Sequence, residues 1–238
     1  MSENATSNAQ GSMGDMQDDD EISLLDLLQV VVDNLNIDAT FIYVVQKSHR
    51  EQYNLDTLLN LITPNCKIVE VDGITEGAAC TTLLAKEYID NDQPLVMANS
   101  DQFVEWDSNE FMYKMQETNS DGGIVTFTAT HPKWSFAKID EKGLVIEVAE
   151  KKVISDKACA GIYYFRHGNE YIESVVMMIA KNIRTNNEFY IAPAYNELIA
   201  GLGNVSVYEV DVNKKHMLGT PYELEIFLDK VENGDVVL

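Results

Sequence analysis

Positive charge is what this sequence has least of: 17 lysine and arginine residues stand against 39 aspartate and glutamate residues, a formal net charge of −22. A partner approaching through its own phosphate backbone would be repelled over most of such a surface, which argues against nucleic acid as a ligand. A small phosphorylated ligand is still compatible, because a few local cations or a helix N-terminus reverse the field inside one pocket. Cysteine is scarce too. Cys66, Cys80 and Cys159 are odd in number and lack C-x-x-C spacing, which fits reduced thiols and a cytoplasmic setting better than a disulfide framework or a zinc site. No apolar run reaches the ~18 residues that span a bilayer, and the acidic, polar N-terminus is the opposite of a signal peptide. Gly-x-Ser-x-Gly, His-Glu-x-x-His and Walker runs are absent, and His131 and His216 have no partner at metal-ligand spacing. Covalent hydrolase, zinc hydrolase and P-loop chemistry therefore lack support.

What is present is enough for one large α/β domain: 238 residues, of which 45% are hydrophobic. Residues 1–21 are polar, close on an acidic run from Asp18 to Glu21, and offer little to bury, so they are expected to form a disordered tail ahead of a domain over 22–238. Leu24, Leu25, Leu27, Leu28, Val31, Val32 and Leu35 then fall at helical spacing. Beyond them, strand-like runs (40–45, 66–71, 94–98, 123–128) alternate with helical ones (53–62, 76–88). A hairpin over 136–149, a strand over 161–165, helices over 170–182 and 192–201, a strand over 205–210 and a helix over 221–231 complete the chain. Such alternation predicts a three-layer α/β/α fold with a mostly parallel central sheet, whose ligands bind beyond the carboxyl ends of the strands.

Four local features carry possible chemistry, each with a purely structural explanation beside it. The strand PLVMA delivers Asn99, Ser100 and Asp101 to a strand end, where a carboxylate can hold Mg²⁺ beside phosphate oxygens, although Asn and Asp also simply form turns there. Glu76, Gly77 and Ala78 open a helix with small residues, suited to a base or phosphate or merely to close packing. Glu150, Lys151 and Lys152 gather charge at a strand exit, as a phosphate contact or as solvated surface. Thr220 and Pro221 form a turn that capping of the last helix explains.

Taken in order, TEGAACTTLLA at Thr75, NSDQF at Asn99, HPKWSFAKID at His131, EVAEKK at Glu147, AGIYYF at Ala160, NEFYIAPAYNELI at Asn187 and LGTPYELEIFL at Leu218 resemble the sugar-phosphate nucleotidyltransferases, from about Leu28 to Leu238. The resemblance implies that an NTP and a sugar 1-phosphate meet over the sheet, with attack on the α-phosphorus and departure of pyrophosphate. It assigns Asp101 and Lys151 to catalysis, with Asp101 on Mg²⁺, and Glu76, Gly77, Ala78, Asn99 and Ser100 to the nucleotide. Lys133, Glu150, Gly161, Asn187, Glu188, Tyr190 and Thr220 would serve the sugar phosphate.

Two departures from the family pattern bear on activity. The G-x-G-x-R-F loop and its following P-K-P turn are not found, and where relatives have W-x-D-x-G-T this chain has Lys215, His216, Met217, Leu218, Gly219 and Thr220. Met217 offers a thioether, too soft for Mg²⁺, in place of a carboxylate. In place of the loop, residues 18–35 resemble the cytoplasmic start of polysaccharide chain-length determinant proteins, so both resemblances point to surface polysaccharide assembly. Without the first strand, the sheet would expose unpaired backbone groups, and self-association is expected. A non-catalytic binding module and a metal-dependent glycosyltransferase that uses Asn99–Asp101 are the rival expectations.

Overall fold

The computed structural model describes residues 24–236, and the tail expected over 1–21 lies outside them. The elements are α1 (Leu24–Asp33), β1 (Ile42–Gln46), α2 (Lys47–Gln52), α3 (Leu55–Ile62), β2 (Lys67–Val71), α4 (Ala78–Leu83), α5 (Lys86–Ile89), β3 (Leu95–Ala98), β4 (Gln102–Val104) and α6 (Ser108–Glu117). They continue with β5 (Gly122–Thr128), β6 (Ser135–Ile139), β7 (Val145–Glu150), β8 (Lys157–Phe165), α7 (Gly168–Ala180), α8 (Tyr195–Ala200), β9 (Val205–Glu209), β10 (Lys215–Met217) and α9 (Pro221–Glu232).

The central sheet runs β7-β6-β8-β5-β9, with β3 alongside β8. β3, β5, β6 and β9 point one way and β7 and β8 the other; the α/β architecture is as expected, but the sheet is mixed and not mostly parallel, because β8 runs against each of its neighbours β3, β5 and β6 and β7 returns as a hairpin on β6. β8 is buried along nearly its whole length, as a strand covered on both faces must be. On β5, Ile124 faces one layer and Val125 the other. The first layer packs Tyr171, Val175 and Met178 of α7 and Tyr195 of α8, and the second packs Phe111 and Met115 of α6. Tyr195 is fully buried, stacks on Phe165 at 4.5 Å, and sets its hydroxyl 2.8 Å from the Gly123 carbonyl and 2.9 Å from that of Tyr164. It thus clips the helical layer to two adjacent strands.

The expected helix over 76–88 is broken into α4 and α5, because the Thr81 and Thr82 hydroxyls bond back to the Gly77 and Ala79 carbonyls and the chain tightens through Leu84 and Ala85. α2, α6, β4 and β10 were not anticipated. β4 and β10 pair antiparallel, with His216 opposite Phe103 and Met217 opposite Gln102. A small third core of Val30, Phe103 and Phe227 ties α1 and α9 to this ribbon.

The sheet is interrupted at one place. β1 pairs only with β2, and β3 only with β8, among the described residues. Leu95, Val96 and Met97 are accordingly only half-buried and Ala98 is exposed, whereas β5 is buried from Gly122 to Phe127. Backbone groups on the free edges must be satisfied by water. Hydrogen exchange should rank the strands: peptides covering 42–46 and 95–98 exchange well ahead of those covering 122–128 and 157–165 by mass spectrometry. Equal protection in all four would mean that the edges are covered.

Candidate functional site

β3 ends at Ala98 and turns sharply, with the Asn99 amide donating to the Gly161 carbonyl at 2.9 Å. Gly161 has φ +79°, and a Cβ there would sit 2.8 Å from Asn99 Nδ2 and 3.2 Å from Gln102 Nε2, so this turn and β8 touch because residue 161 has no side chain. Gln102 is buried and its amide nitrogen has no hydrogen-bond partner among the described residues. Asn99, Ser100 and Asp101 are all exposed at this rim. Asp101 accepts the Leu218 amide through its carbonyl at 2.8 Å, and its carboxylate lies against Gly219. The turn before α9 therefore packs against the strand end.

The ribbon strand beside Asp101 presents unexpected chemistry. Lys215 and Met217 share one face of β10, and the Lys215 ammonium donates to Met217 Sδ at 2.8 Å. It also lies 4.8 Å from the Trp134 ring centroid and 5.3 Å from that of Phe127. Lys133 approaches the same indole at 4.4 Å. Burial lowers the Lys215 ammonium to about 8; Asp101 pulls the other way, Lys133 adds to the lowering, and Glu223 opposes it.

From Trp134 the contacts lead to the second charged group. The Lys151 amide donates to the Trp134 carbonyl at 3.1 Å, and Lys151 itself has φ +53°. Its ammonium donates to the Tyr190 hydroxyl at 2.6 Å and lies 4.6 Å from the ring centroid; that hydrogen bond is the main cause holding the ammonium above its usual range. Glu150 is hydrogen-bonded by Ser135 Oγ, and burial raises its carboxyl against the opposing pull of that bond and of Lys151. Glu188 lies close enough to raise both Lys151 and Tyr190.

The third group is built on the segment before Tyr190. Gly77, with φ +123°, lies flat on Phe189, where a Cβ would meet the Phe189 carbonyl oxygen at 2.5 Å. The Phe189 amide donates to the Glu76 carbonyl at 2.8 Å and the Ala79 amide to the Phe189 carbonyl at 3.0 Å. The Ala79 amide at the start of α4 is thus already used. Ala78 is exposed beside it. Arg184 pairs with Glu76 at 2.5 Å, stacks over Phe189 at 3.9 Å, and donates to the carbonyl of Asn187 at 3.0 Å. Asn187, at φ +66°, shapes this turn.

The sequence-derived groups thus follow one another: Glu76–Ala78 to Tyr190 through residues 187–189, and Tyr190 and Glu150 to Trp134 through Lys151, while Asp101 is tied to the Lys215 ammonium over Trp134 by charge alone. Lys133 enters at the indole. Thr220 stands apart: it caps α9, accepting the Glu223 amide at 3.2 Å and donating to the Glu223 carboxylate at 2.9 Å, so capping accounts for both of its bonds. Arg184, Lys215, Trp134 and Gln102 were given no role from sequence. Scarcity was the available signal, since Arg184 is one of only 17 basic residues and Trp134 one of two tryptophans. Two surface clefts, of about 590 Å³ against α6 and about 710 Å³ between α1 and β4, are lined by none of the sequence-derived site residues.

Asp101 is the carboxylate at this rim that could hold Mg²⁺, an ion commonly held by one or two carboxylates together with substrate phosphates. Among the described residues no three His, Cys, Asp or Glu side chains cluster as ligands. On β10, Lys215 lies near enough to feel the Asp101 charge, and Met217, bonded to Lys215, offers a thioether, which does not ligate a hard cation.

The sequence profile of a family described as nucleotidyl transferase matches residues 23–190. No curated protein sequence matches the chain significantly. Among solved structures, the nucleoside-diphosphate-sugar pyrophosphorylase of Vibrio cholerae RC9 is similar at 26% identity over 85% of this chain and 87% of that one, with a TM-score of 0.72. A UDP-glucose pyrophosphorylase complexed with UDP-glucose shares the fold at 14% identity, 87% coverage of each chain and a TM-score of 0.67. No described helix is long and apolar enough to cross a membrane. By a profile match over most of its length and by its three-layer architecture, the chain belongs to the nucleotidyl transferase family.

Proposed function

We propose that this protein transfers a nucleotidyl group from an NTP to a sugar 1-phosphate and releases pyrophosphate, supplying a nucleotide-activated sugar for surface polysaccharide. The observation that carries the proposal is the line of contacts from the Glu76–Ala78 loop through Tyr190 and Lys151 to Trp134, with Asp101 acting by charge on Lys215 over the same indole, within a fold shared with sugar-nucleotide pyrophosphorylases. A sugar-phosphate oxygen attacks the α-phosphorus, the bond from that phosphorus to the bridging oxygen breaks, and pyrophosphate takes the electron pair. No protein nucleophile is needed, so catalysis consists of alignment and charge neutralisation.

In this scheme Glu76, Gly77 and Ala78 shelve the base, their backbone fixed by Phe189 and Arg184. Asn99, Ser100 and Gly161 line the rim where nucleotide and sugar meet. Lys151, oriented by Tyr190, supplies positive charge to the sugar phosphate, and Glu150, Asn187 and Glu188 form the acceptor side. A cytoplasmic working place belongs to the same proposal, supported by three cysteines that form no disulfide. One observation favours a binding-only role instead: among the described residues β1 pairs only with β2 and β3 only with β8, so no strand bridges the two next to β3, the strand that ends at Asn99.

Calorimetric titration with CTP, UTP, dTTP, GTP and ATP, followed by a pyrophosphate-release assay with mixed sugar 1-phosphates, decides between the two. At least one NTP should bind and release pyrophosphate; binding without release would leave the module reading, and no binding would remove both. Lys151→Met should lower kcat/KM by about 10²-fold, the usual effect of removing one preorganised charge donor, with little change in thermal unfolding because the residue is exposed. Gly77→Ala should lose NTP affinity and destabilise the fold by about 1–3 kcal/mol in urea titrations, since its φ of +123° admits only glycine without strain and its Cβ would strike Phe189. Wild-type binding by Gly77→Ala would show that the loop does not hold the base.

A further inference from the structure

Glu150 is held by less than its surroundings demand. It is half-buried at the end of β7, and burial is the main cause that raises its carboxyl. Among the described residues no lysine, arginine or histidine lies at ion-pairing distance from it; its neighbour Lys151 sends its ammonium to the Tyr190 hydroxyl, 2.6 Å away. The one hydrogen bond that reaches the Glu150 side chain comes from the Ser135 hydroxyl.

Strand register explains that bond. Ser135 stands opposite Glu150 in the antiparallel β6–β7 pair. On the other side of β6, Phe136 is opposite Ala158, which sets Ser135 beside Cys159 on β8. Phe136 joins the core against α6 while Ala137 and Cys159 join the core against α7, so Ser135 shares the face of Ala137 and Cys159. Behind the carboxylate are the Cys159 thiol and the Tyr163 phenol, both pushed up by burial and so kept neutral, and neither donates to it. Lys151 is the one cation whose charge reaches it. A serine hydroxyl has a single proton; spent on Glu150 Oε2, it fixes the plane of a carboxylate that nothing else restrains. The same donation favours the ionised carboxylate, whereas burial favours the protonated form, in which one oxygen would become a donor.

We propose that Ser135 is a positioning residue for the sugar phosphate: its hydroxyl fixes one oxygen of Glu150 as a hydrogen-bond acceptor and leaves the other to a hydroxyl of the sugar. The proposal rests on the transferase reading for what Glu150 grips.

The test removes one oxygen atom, in Ser135→Ala, with Ser135→Thr as the variant that keeps the hydroxyl and suits a strand. Glu150 is read directly by carboxyl-carbon NMR of the full chain with isotope-labelled glutamate, its signal identified by its loss in Glu150→Gln. In Ser135→Ala that titration should move to higher pH, because a bond to the ionised form is lost, and Ser135→Thr should restore it. By calorimetry, Ser135→Ala should bind hexose 1-phosphates about tenfold more weakly, with NTP affinity unchanged. Ser135→Thr should recover that loss, and adding Ser135→Ala to Glu150→Gln should cost nothing more. An unmoved titration overturns the proposal, as does a moved one with unchanged sugar-phosphate affinity, or a loss shared equally by NTP and sugar phosphate. The two readings fail separately. Sugar-phosphate binding that depends on Ser135, in a protein that releases no pyrophosphate, keeps the positioning role and discards the transferase. Pyrophosphate release with the same kinetics in Ser135→Ala keeps the transferase and discards the positioning role.

Discussion

The arrangement depends on the two edges of β8. One edge is filled by β5; the other is shared, with β6 against its N-terminal half and β3 against its C-terminal half. That division fixes where β3 ends and β6 begins, and these are the two places from which Asn99–Asp101 and Trp134–Ser135 enter the site. Gly161 sits at the change-over, with a positive φ and no Cβ, so the β3 turn can close on the strand. A side chain there would push Asn99 and Gln102 away and loosen the rim before any substrate arrived.

Much of this framework was legible in the sequence because it is periodic. β5, β6, β7, β8, α7 and α9 each carry enough residues for an apolar pattern to show, and Thr220-Pro221-x-Glu223 announces the start of α9 by its capping chemistry. β4 and β10 have three residues apiece, too few for a period of two to register, and their pairing is settled by Phe103 and Phe227 packing around them. The break after α4 was hidden for another reason: Thr81 and Thr82 fit a helical pattern by position, yet their hydroxyls compete for its carbonyls.

The candidate site was half legible. Asp101, Lys151 and the Glu76 loop stand in short runs whose composition draws attention. Arg184 and Lys215 do not, since each acts through a partner distant in sequence, Glu76 in one case and Trp134 in the other. Met217 was visible in the sequence as a thioether where the resemblance expects a carboxylate. Its complement was not, because only the ribbon register shows that Lys215 shares its face.

Charge scarcity ties these points together. A chain at −22 repels phosphates at long range, so any affinity for a nucleotide must come from short-range contacts made where a few cations are gathered and screened from the surrounding acids. Lys133, Lys151 and Lys215 meet around one tryptophan, whose indole and backbone carbonyl anchor all three. The Trp134 ring lies against the ammonium groups of Lys133 and Lys215 without neutralising them, as a carboxylate would. Trp134 therefore matters less for the area it buries than for keeping positive charge available beside Asp101, and a ring of similar size without charge at positions 133 and 215 would pack equally well while leaving the rim acidic.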